Sequence, residues 1–255
     1  MKKLVKILVV IMVMSLMALA LVGCGESADV VTYKACTEPT FPPFDTTDED
    51  GNLVGFDMDL MNAIGEDQGF KVEYVALEFD ALIPAIQAGD CDIITAGMNA
   101  MDPERQAKVD FSTTYYDSAL VVLVKSDSTI TGIDALTKDM VVASQTGTTG
   151  ADEANALAAD GKVKEAIIND AFTTCVLQLQ SGDVDAVIID KPVAESYVKK
   201  QGSTEIKVVG EGLNAESYGF AVQKGNSELL EKINKGLQNM IDNGTYDALV
   251  EKWFN

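Results

Sequence analysis

Apolar and polar residues along the chain follow two alternating rhythms, which predict strands and helices in succession. Apolar positions recur with the helical period in residues 56–64 and 228–241, whereas shorter stretches alternate with period two or run apolar. The shorter stretches predict strands at 30–35, 71–77, 92–95, 120–125, 140–144, 162–168 and 185–189. Because strands alternate with helices, the pattern predicts an α/β fold.

Two stretches share a helix end, a Gly-Asp-x-Asp turn and an apolar strand. They are residues 88–94 (AGDCDII) and 181–187 (SGDVDAV). This weak internal repeat predicts two similar lobes. In open α/β sheets, ligands bind beyond the carboxyl ends of the strands, so polar residues that follow each predicted strand are the candidate ligand contacts.

The stretch from Asp102 to Glu104 predicts a helix start, because it combines a carboxylate N-cap, a first-position proline and an acidic first turn. Arg105 then lies in the first turn, where its planar guanidinium and nearby backbone N–H groups are suited to hold a carboxylate. The alternative is an exposed arginine that pairs with Glu104 or Asp110. The local sequence leaves both interpretations open.

Other candidate contacts follow other predicted strands. Glu38 and Phe41 lie in the proline-rich loop after residues 30–35, although a solvated acid and a packed aromatic ring would give the same pattern. Phe79 lies at a strand-to-helix junction. There it either contacts a ligand or packs against the helix as a hydrophobic staple.

The second half of the chain adds a glycine-bearing loop and an acid at a strand end. The loop at residues 145–150 (QTGTTG) lacks the lysine of a Walker motif, but free N–H groups at Thr148 and Thr149 are suited to a carboxylate. The same loop is compatible with a tight strand-to-helix turn. Asp190 follows a predicted strand, where it contacts a ligand, caps the helix that begins at Pro192, or does both.

Residues 1–23 have the features of an export signal, with a basic start and a long apolar run. The Leu-Val-Gly that precedes Cys24 resembles the lipobox of bacterial lipoproteins, in which cleavage leaves a cysteine that carries diacylglycerol. This resemblance implies an acylated leader at 24–29 and a protein tethered through Cys24 to the outer face of the bacterial cell membrane. An uncleaved anchor and an ordinary secretory signal are the alternatives.

The composition narrows the classes of function. A formal charge of −21 at pH 7 disfavours nucleic acid and anionic lipid surfaces as partners. The sequence contains no histidine, the commonest general base and metal ligand, and we expect neither a metal nor a cofactor. Cys36, Cys91 and Cys175 show no zinc-ligand spacing; one disulfide among them is allowed, but buried thiols are the favoured interpretation.

An ordered set of short motifs runs from about Thr32 to Phe254. It comprises FPPF, GFDMDL, LIPAIQAG, AGMN, PER, VDFS, TGTTG, GTY and KWF. With this set the chain resembles the polar amino-acid binding proteins of bacterial ABC importers, the family 3 solute-binding proteins. The resemblance implies a type II periplasmic-binding-protein fold, in which two Rossmann-like α/β lobes are joined by two crossing segments. It places lobe 1 at 30–114 plus 219–255, lobe 2 at 120–213, and hinges at 115–119 and 214–218.

The resemblance also implies roles for individual residues. The carboxylate of an amino-acid ligand would be bound by Arg105, Thr148 and Thr149, and its amine by Asp190, Gly97 and Asn99. The ligand side chain would be contacted by Glu38, Phe41, Phe79 and Gln145. The segment from Gly97 to Arg105 is one residue longer than the usual family spacing, which makes Asn99 the least constrained of these positions.

The implied function is capture of a free, polar L-amino acid between two closing lobes and its delivery to an ABC transporter permease. Glu38 favours a ligand with a cationic or amide side chain. Family analogy favours a monomer. Two other classes stay open: a sensing module that presents its closed form to a receptor, and a dehydratase on the same fold that uses Glu38 or Asp190 as an acid. The absence of histidine argues against the enzyme.

Overall fold

The computed structural model describes residues 30–201 and 205–255. The predicted signal peptide at 1–23, the predicted leader at 24–29 and Cys24 lie outside this part of the chain. The strands are β1 (Thr32–Thr37), β2 (Thr46–Thr47), β3 (Leu53–Val54), β4 (Lys71–Ala76), β5 (Ile93–Ile94), β6 (Val109–Phe111), β7 (Tyr116–Lys125), β8 (Val141–Gln145), β9 (Glu165–Asn169), β10 (Ala186–Asp190), β11 (Ile206–Tyr218) and β12 (Ala221–Gln223).

The helices follow the strands in the alternation that the sequence predicts. They are α1 (Phe56–Gln68), α2 (Phe79–Ala88), α3 (Pro103–Lys108), α4 (Thr149–Ala159), α5 (Phe172–Ser181), α6 (Lys191–Gln201), α7 (Ser227–Asp242) and α8 (Thr245–Phe254), with a short 3₁₀ helix at Ile133–Ala135. The predicted α/β class, with two lobes built on separate sheets, is confirmed.

The first lobe is built on a five-stranded sheet with the order β4-β1-β5-β12-β6. β1 is parallel to both β4 and β5, whereas β12 is antiparallel to β5 and β6. The carboxyl ends of β1 and β5 therefore point to the same edge of the sheet. Glu38 follows β1 there, and the chain after β5 continues through Gly97 and Asn99 to α3.

The second lobe is built on a five-stranded sheet with the order β11-β7-β10-β8-β9. β8 is parallel to β9 and β10, and β7 is antiparallel to β10 and β11. Gln145 is the last residue of β8 and Asp190 is the last residue of β10. Because these strands are parallel neighbours, both side chains are delivered to one edge of the sheet.

The strands that link the two lobes are longer than the sequence pattern predicts. The strand predicted at 120–125 begins at Tyr116, and Tyr218 lies opposite Tyr116 at the end of β11. The two predicted hinge segments therefore pair with each other. This pairing provides hydrogen-bond partners for backbone N–H and C=O groups of residues 116–119, which the local periodicity does not predict to be part of a strand. Their movement as hinges and the exact lobe boundaries stay predictions.

The interpretation of the cysteines as buried thiols is wrong for two of the three. Cys36 and Cys91 form a disulfide whose Cα atoms lie 5.9 Å apart. They are 55 residues apart in sequence, and parallel pairing of β1 with β5 brings them together, so no local spacing signals the bond. Cys175 is a buried free thiol, and burial raises its pKa to about 11.

The described residues contain neither a helix that could span a membrane nor a cluster of side chains that could hold a metal ion. Within residues 30–201 and 205–255, every helix is too short or too polar to span a bilayer. In that same part of the chain, cysteine and acidic side chains nowhere gather in groups of three or more with the arrangement of a metal site.

Candidate functional site

Arg105 is positioned by the first turn of α3, as the sequence predicts. Asp102 caps this helix, since its Oδ1 accepts hydrogen bonds from the N–H groups of Glu104 at 2.7 Å and Arg105 at 3.2 Å. Pro103 occupies the first helical position, where its missing N–H costs nothing. Arg105 is only 7% exposed, so the alternative of an exposed first-turn arginine is wrong.

The guanidinium of Arg105 crosses the cleft between the lobes. Its Nη2 donates to the carbonyl oxygen of Gly147 at 3.1 Å, and its Nη1 donates to that of Asn99 at 3.5 Å. Its Nε lies 3.6 Å from Asp102 Oδ2, and its Cζ lies 5.3 Å from the centre of the Phe79 ring. The acid and the aromatic face fix the orientation of the planar fork, which suits it to a carboxylate.

Thr148 and Thr149 form the start of α4 on the other side of the cleft. Thr148 is the N-cap: its Oγ1 accepts from the N–H of Ala151 at 3.1 Å and donates to the carbonyl oxygen of Gln145 at 2.7 Å. The N–H of Thr148 is also engaged, at 3.3 Å, with Gln145. The hydroxyl of Thr149 donates to Glu216. The prediction of carboxylate binding by backbone N–H groups therefore rests mainly on Thr149.

Asp190 ends β10 in a buried environment and is 4% exposed. The hydroxyl of Tyr218 donates to Asp190 Oδ1, and the carboxyl of Glu216 is also hydrogen-bonded to Asp190. Burial, followed by the neighbouring Glu216, raises the pKa of Asp190 well above its usual value. The hydrogen bond from Tyr218 and the positive charge of Arg105 act in the opposite direction. The structure thus places a buried acid, Asp190, and a buried guanidinium, Arg105, at the same cleft.

Gly97 and Asn99 are engaged within the protein. The N–H of Gly97 donates to Asp57 Oδ2 at 2.9 Å, so only its carbonyl oxygen is left for an amine. Gly97 has a φ of 51°, and a Cβ there would lie 2.4 Å from the Phe41 ring, so glycine is required. Asn99 Oδ1 accepts from two backbone N–H groups, at 3.0 and 3.4 Å. The role of Asn99 as an amine contact stays a prediction.

Glu38 and Gln145 meet in the cleft, and both are buried. Glu38 Oε2 accepts from Thr40 Oγ1 at 2.9 Å, and Glu38 is hydrogen-bonded to Gln145. Burial raises the pKa of Glu38, and these hydrogen bonds oppose the shift. Gln145 Nε2 donates to the carbonyl oxygen of Asp170 at 2.9 Å, whereas its Oε1 accepts no hydrogen bond from residues 30–201 or 205–255. Both residues thus present acceptors, which favour a hydrogen-bond donor on the ligand.

Phe41 and Phe79 have different positions. Phe41 is 7% exposed, and its ring centre lies 5.9 Å from that of Phe172 and 6.0 Å from that of Tyr218. Phe41 therefore forms an aromatic wall that touches both lobes. Phe79 is half-buried and supports the guanidinium of Arg105 by a cation–π contact.

The lobes are closed on each other in this structure. The N–H of Phe172 donates to Thr40 Oγ1 at 3.2 Å, and the hydroxyl of Tyr197 donates to the carbonyl oxygen of Thr40 at 2.9 Å. A cavity of about 340 Å³ lies at one edge of the closed cleft, lined in part by Phe79, Arg105 and Gly147. Residues from both lobes thus surround the predicted carboxylate site.

Sequence reasoning missed two site residues in the second crossing strand. Glu216 and Tyr218 are two positions apart on β11, so their side chains project from the same face of the strand. Both are buried, at 4% and 0% exposure. The sequence feature that could have identified them is an acid two positions before a tyrosine within the predicted hinge at 214–218.

Asp57 was also missed, although it supports the loop at Gly97. Asp57 is fully buried in α1, and its Oδ2 accepts from the Tyr115 hydroxyl at 2.7 Å as well as from Gly97. Burial raises the pKa of Asp57 to about 7. Nothing in the helical spacing distinguishes Asp57 from Asp59, which is the next acid on the same helix.

Comparison with known proteins gives matches along nearly the whole described chain. Residues 33–255 match the family described as bacterial extracellular solute-binding proteins, family 3. The chain is 32% identical to a probable histidine-binding protein of Neisseria gonorrhoeae, covering 93% of this chain and 91% of that protein. It is 32% identical to the arginine-binding extracellular protein ArtP of Bacillus subtilis, covering 96% of each.

A solved structure is similar over the same region. An ancestral arginine-binding protein bound to arginine superposes with a TM-score of 0.83 at 44% identity, covering 88% of this chain and 98% of that one. Sequence and structure thus point to the same group of proteins.

Proposed function

The chain belongs to the bacterial extracellular solute-binding proteins of family 3, and from that premise we propose that it captures a free L-amino acid with a cationic side chain. The amino acid would be held between the two lobes and handed to an ABC transporter permease. The similar proteins from Neisseria gonorrhoeae and Bacillus subtilis and the ancestral protein, which are named for binding histidine or arginine, support this proposal.

The observation that carries the proposal is the buried guanidinium and the buried acid that face the same cleft. Arg105 comes from the first lobe and Asp190 from the second, and they are 7% and 4% exposed. A zwitterion that leaves water must have both of its charges matched, since an unpaired buried charge is costly. Arg105 and the N-terminus of α4 would match the carboxylate of the ligand, and Asp190 would match its ammonium group.

The side-chain end of the ligand would lie near Glu38 and Gln145. A buried carboxyl and a buried Oε1 that accepts no hydrogen bond from the described residues favour a ligand group that only donates, such as a guanidinium or an ammonium. Phe41 would pack against the aliphatic stem of such a side chain. These contacts are the basis for preferring a cationic ligand over an uncharged one.

Ligand binding would favour the closed arrangement of the lobes. Because the carboxylate and the amine are held by different lobes, the ligand gains its full set of contacts only when the cleft is closed. The paired crossing strands β7 and β11 would act as the hinge at 115–119 and 214–218. Closure would then be the signal that the permease reads.

A thermal-shift screen of the purified protein against the twenty L-amino acids, ornithine and putrescine tests the proposal. A ligand at 100 times its dissociation constant stabilises a protein by about 2.7 kcal/mol, which raises the unfolding midpoint measurably. We expect the largest shift with arginine, lysine, ornithine or histidine and none with putrescine, which lacks a carboxylate. If a sample freed of carried-over ligand shows no shift with any amino acid, the proposal is wrong.

We further propose that residues 1–23 are a lipoprotein signal peptide and that Cys24 carries the lipid. The basic and apolar run before Leu-Val-Gly-Cys supports this. Cell fractionation checks it: the protein should stay with the membrane, and Cys24→Ser should release it from the outer face. A Cys24→Ser variant that is exported and still fractionates with the membrane would contradict the lipid anchor.

The partner that recognises the closed form distinguishes transport from sensing. In vesicles carrying the permease, ligand uptake should require both the protein and ATP. Binding of the loaded protein to a receptor without uptake would favour the sensing module. The similar proteins from Neisseria gonorrhoeae and Bacillus subtilis are named as binding proteins, and ligand recovered unchanged after incubation would agree with that role rather than with a dehydratase.

A further inference from the structure

Glu216 is a buried acid in the second crossing strand to which neither the sequence pattern nor the family resemblance gives a role. It lies opposite Ser118 in the pairing of β11 with β7, and it is 4% exposed. Its Oε1 accepts from the hydroxyl of Thr149, the residue whose N–H is proposed to bind the ligand carboxylate. Its carboxyl is also hydrogen-bonded to Asp190, which is proposed to bind the ligand amine. Glu216 therefore connects the two ends of the proposed amino-acid site.

Two carboxyl groups that are buried and hydrogen-bonded to each other cannot both be ionised, because one must donate the proton between them. The Thr149 hydroxyl donates to Glu216, and the Tyr218 hydroxyl donates to Asp190. Neither donor brings a positive charge. The titratable and charged groups that face Asp190 are Glu216 and Tyr218 from β11 and Arg105 from α3. Arg105 is partly neutralised by Asp102, so burial beside Glu216 outweighs the charge of Arg105 and favours the protonated form of Asp190.

An ammonium group that enters this environment changes the charge balance. A cation beside two carboxyl groups favours their ionised form, so the proton between them becomes easier to lose. The pair would pass from one negative charge to two, and the released proton would go to solvent. The incoming ammonium and Arg105 would then face two carboxylates rather than one.

Resting on the proposed function, we propose that Glu216 and Asp190 together form the amine receptor of the site, and that the ammonium of the ligand displaces the proton they share. Glu216 is then a specificity-determining residue, since its second carboxylate makes the site require a cationic amine. Binding is linked to pH through this pair. Affinity should rise with pH in the range where the free pair keeps its proton, by up to about tenfold per pH unit.

The experiment is isothermal titration calorimetry of the purified protein with L-arginine, and in parallel with L-lysine and L-glutamine, whose side chains do not titrate near neutral pH. Titrations at pH 6.5 in buffers of different ionisation enthalpy, such as phosphate and imidazole, count the protons released for each ligand bound. We expect release of roughly one proton per ligand. The protein has no histidine, so a proton released near neutral pH has few sources other than buried carboxyl groups.

Glu216→Gln is the decisive variant because it keeps the shape of the side chain. Its Oε1 can still accept from Thr149, and its amide can donate to Asp190, but it holds no exchangeable carboxyl proton. The variant should release no proton on binding and should lose the rise of affinity with pH. Glu211→Gln is the matched control, because Glu211 is an exposed acid on the same strand and its loss should leave the proton count unchanged.

Three results would contradict the inference, and they are distinguishable. Binding without proton release in the wild type overturns the shared proton while leaving the proposed function intact. Release that persists in Glu216→Gln and disappears in Glu38→Gln places the proton on Glu38 instead, which also overturns it. Absence of binding for all three amino acids overturns the proposed function, and this inference falls with it.

Discussion

Two pairs of buried acids differ in where their partners come from. The first pair, Asp45 and Asp57, lies inside the first lobe. Thr37 Oγ1 donates to Asp45 at 2.8 Å, and the Gly97 N–H and the Tyr115 hydroxyl donate to Asp57. Burial is the main cause that raises the pKa of both acids, and Asp57 adds to the shift of Asp45. These partners come from the first lobe and from the start of the first predicted hinge.

The second pair, Asp190 and Glu216, lies where the two lobes meet. Asp190 ends a strand of the second lobe, whereas Tyr218 and Glu216 belong to the crossing strand. Arg105, which lowers the pKa of Asp190 through its positive charge, comes from the first lobe. The electrostatic environment of this pair therefore depends on how the lobes are arranged.

The comparison shows that buried carboxyl groups contribute to stability in one part of the protein and to ligand binding in another. An acid whose partners are fixed within one lobe changes the free energy of unfolding and holds a loop in place. An acid whose partners come from the other lobe responds to closure and to whatever enters the cleft. Variants at the first pair should therefore act on stability and its pH dependence, whereas variants at the cleft should act on ligand affinity.

The largest expected effect is on ligand binding. Arg105→Ala should weaken binding of L-arginine by about 2–5 kcal/mol, the range for removing one member of a buried charged pair. Calorimetry measures the loss. Lys71→Ala, which removes an exposed cation from β4 at the edge of the first sheet, should leave the affinity nearly unchanged. A loss below a few tenths of a kcal/mol in Arg105→Ala would show that another group binds the carboxylate.

The next effect concerns stability and pH. The pKa of Asp57 is raised to about 7 in the folded protein, so between about pH 4 and 7 the folded state keeps a proton that the unfolded chain releases. This contribution to stability is complete below about pH 4 and is lost as the pH rises to about 7, amounting to up to about 4 kcal/mol. Urea unfolding across this range should show a shallower slope in Asp57→Asn than in the wild type, because only the contributions of the other buried acids, Glu38, Asp45 and Asp190, are left.

Asp50→Asn serves as the control for that measurement. Asp50 is exposed, so its replacement should leave the pH dependence as it is in the wild type. An unchanged slope in Asp57→Asn would mean that the proton is held by another acid, with Asp45 as the neighbouring candidate.

A third effect comes from the disulfide in the first lobe. Replacing both Cys36 and Cys91 by alanine should lower the free energy of unfolding by about 2–4 kcal/mol, because the bond constrains a long loop of the unfolded chain. Ligand affinity should change little, since the bond supports the first sheet rather than the cleft. Cys175→Ala is the control, because it removes a buried thiol that forms no bridge. A large loss of affinity with normal stability would contradict this division.

The smallest expected effect concerns Phe79, whose ring packs against the guanidinium of Arg105. Phe79→Leu removes the aromatic face under the guanidinium and should weaken ligand binding by about 0.5–1 kcal/mol. In an Arg105→Ala background, the same replacement should have almost no effect, since its partner is gone. Equal losses in both backgrounds would instead indicate that Phe79 contacts the ligand directly.

The alternation of elements and the cap of α3 could be predicted because they depend on neighbouring residues. Asp102 and Pro103 specify a helix start locally, and the structure shows that start with the predicted hydrogen bonds. The position of Glu38 just after β1 and that of Asp190 at the end of β10 were predictable to within one residue in the same way, because the strand period and turn residues are local signals.

The remaining features depend on long-range pairing and could not be read from local patterns. The disulfide between Cys36 and Cys91 exists because two strands pair, and the extension of β7 back to Tyr116 exists because β11 satisfies its backbone. Glu216 is part of the site for the same reason. A buried acid in a crossing strand has the same sequence appearance as a solvated one, and only the neighbouring lobe distinguishes them.

The most direct test of the central claim compares L-arginine with agmatine, which is arginine without its carboxylate, by calorimetry on the wild-type protein. If Arg105 and Asp190 bind the two ends of the amino acid, L-arginine should bind and agmatine should bind at least about 30-fold more weakly, because agmatine has no carboxylate to accept hydrogen bonds from Arg105. Agmatine binding within about twofold of L-arginine would contradict the account, as would the absence of binding by both.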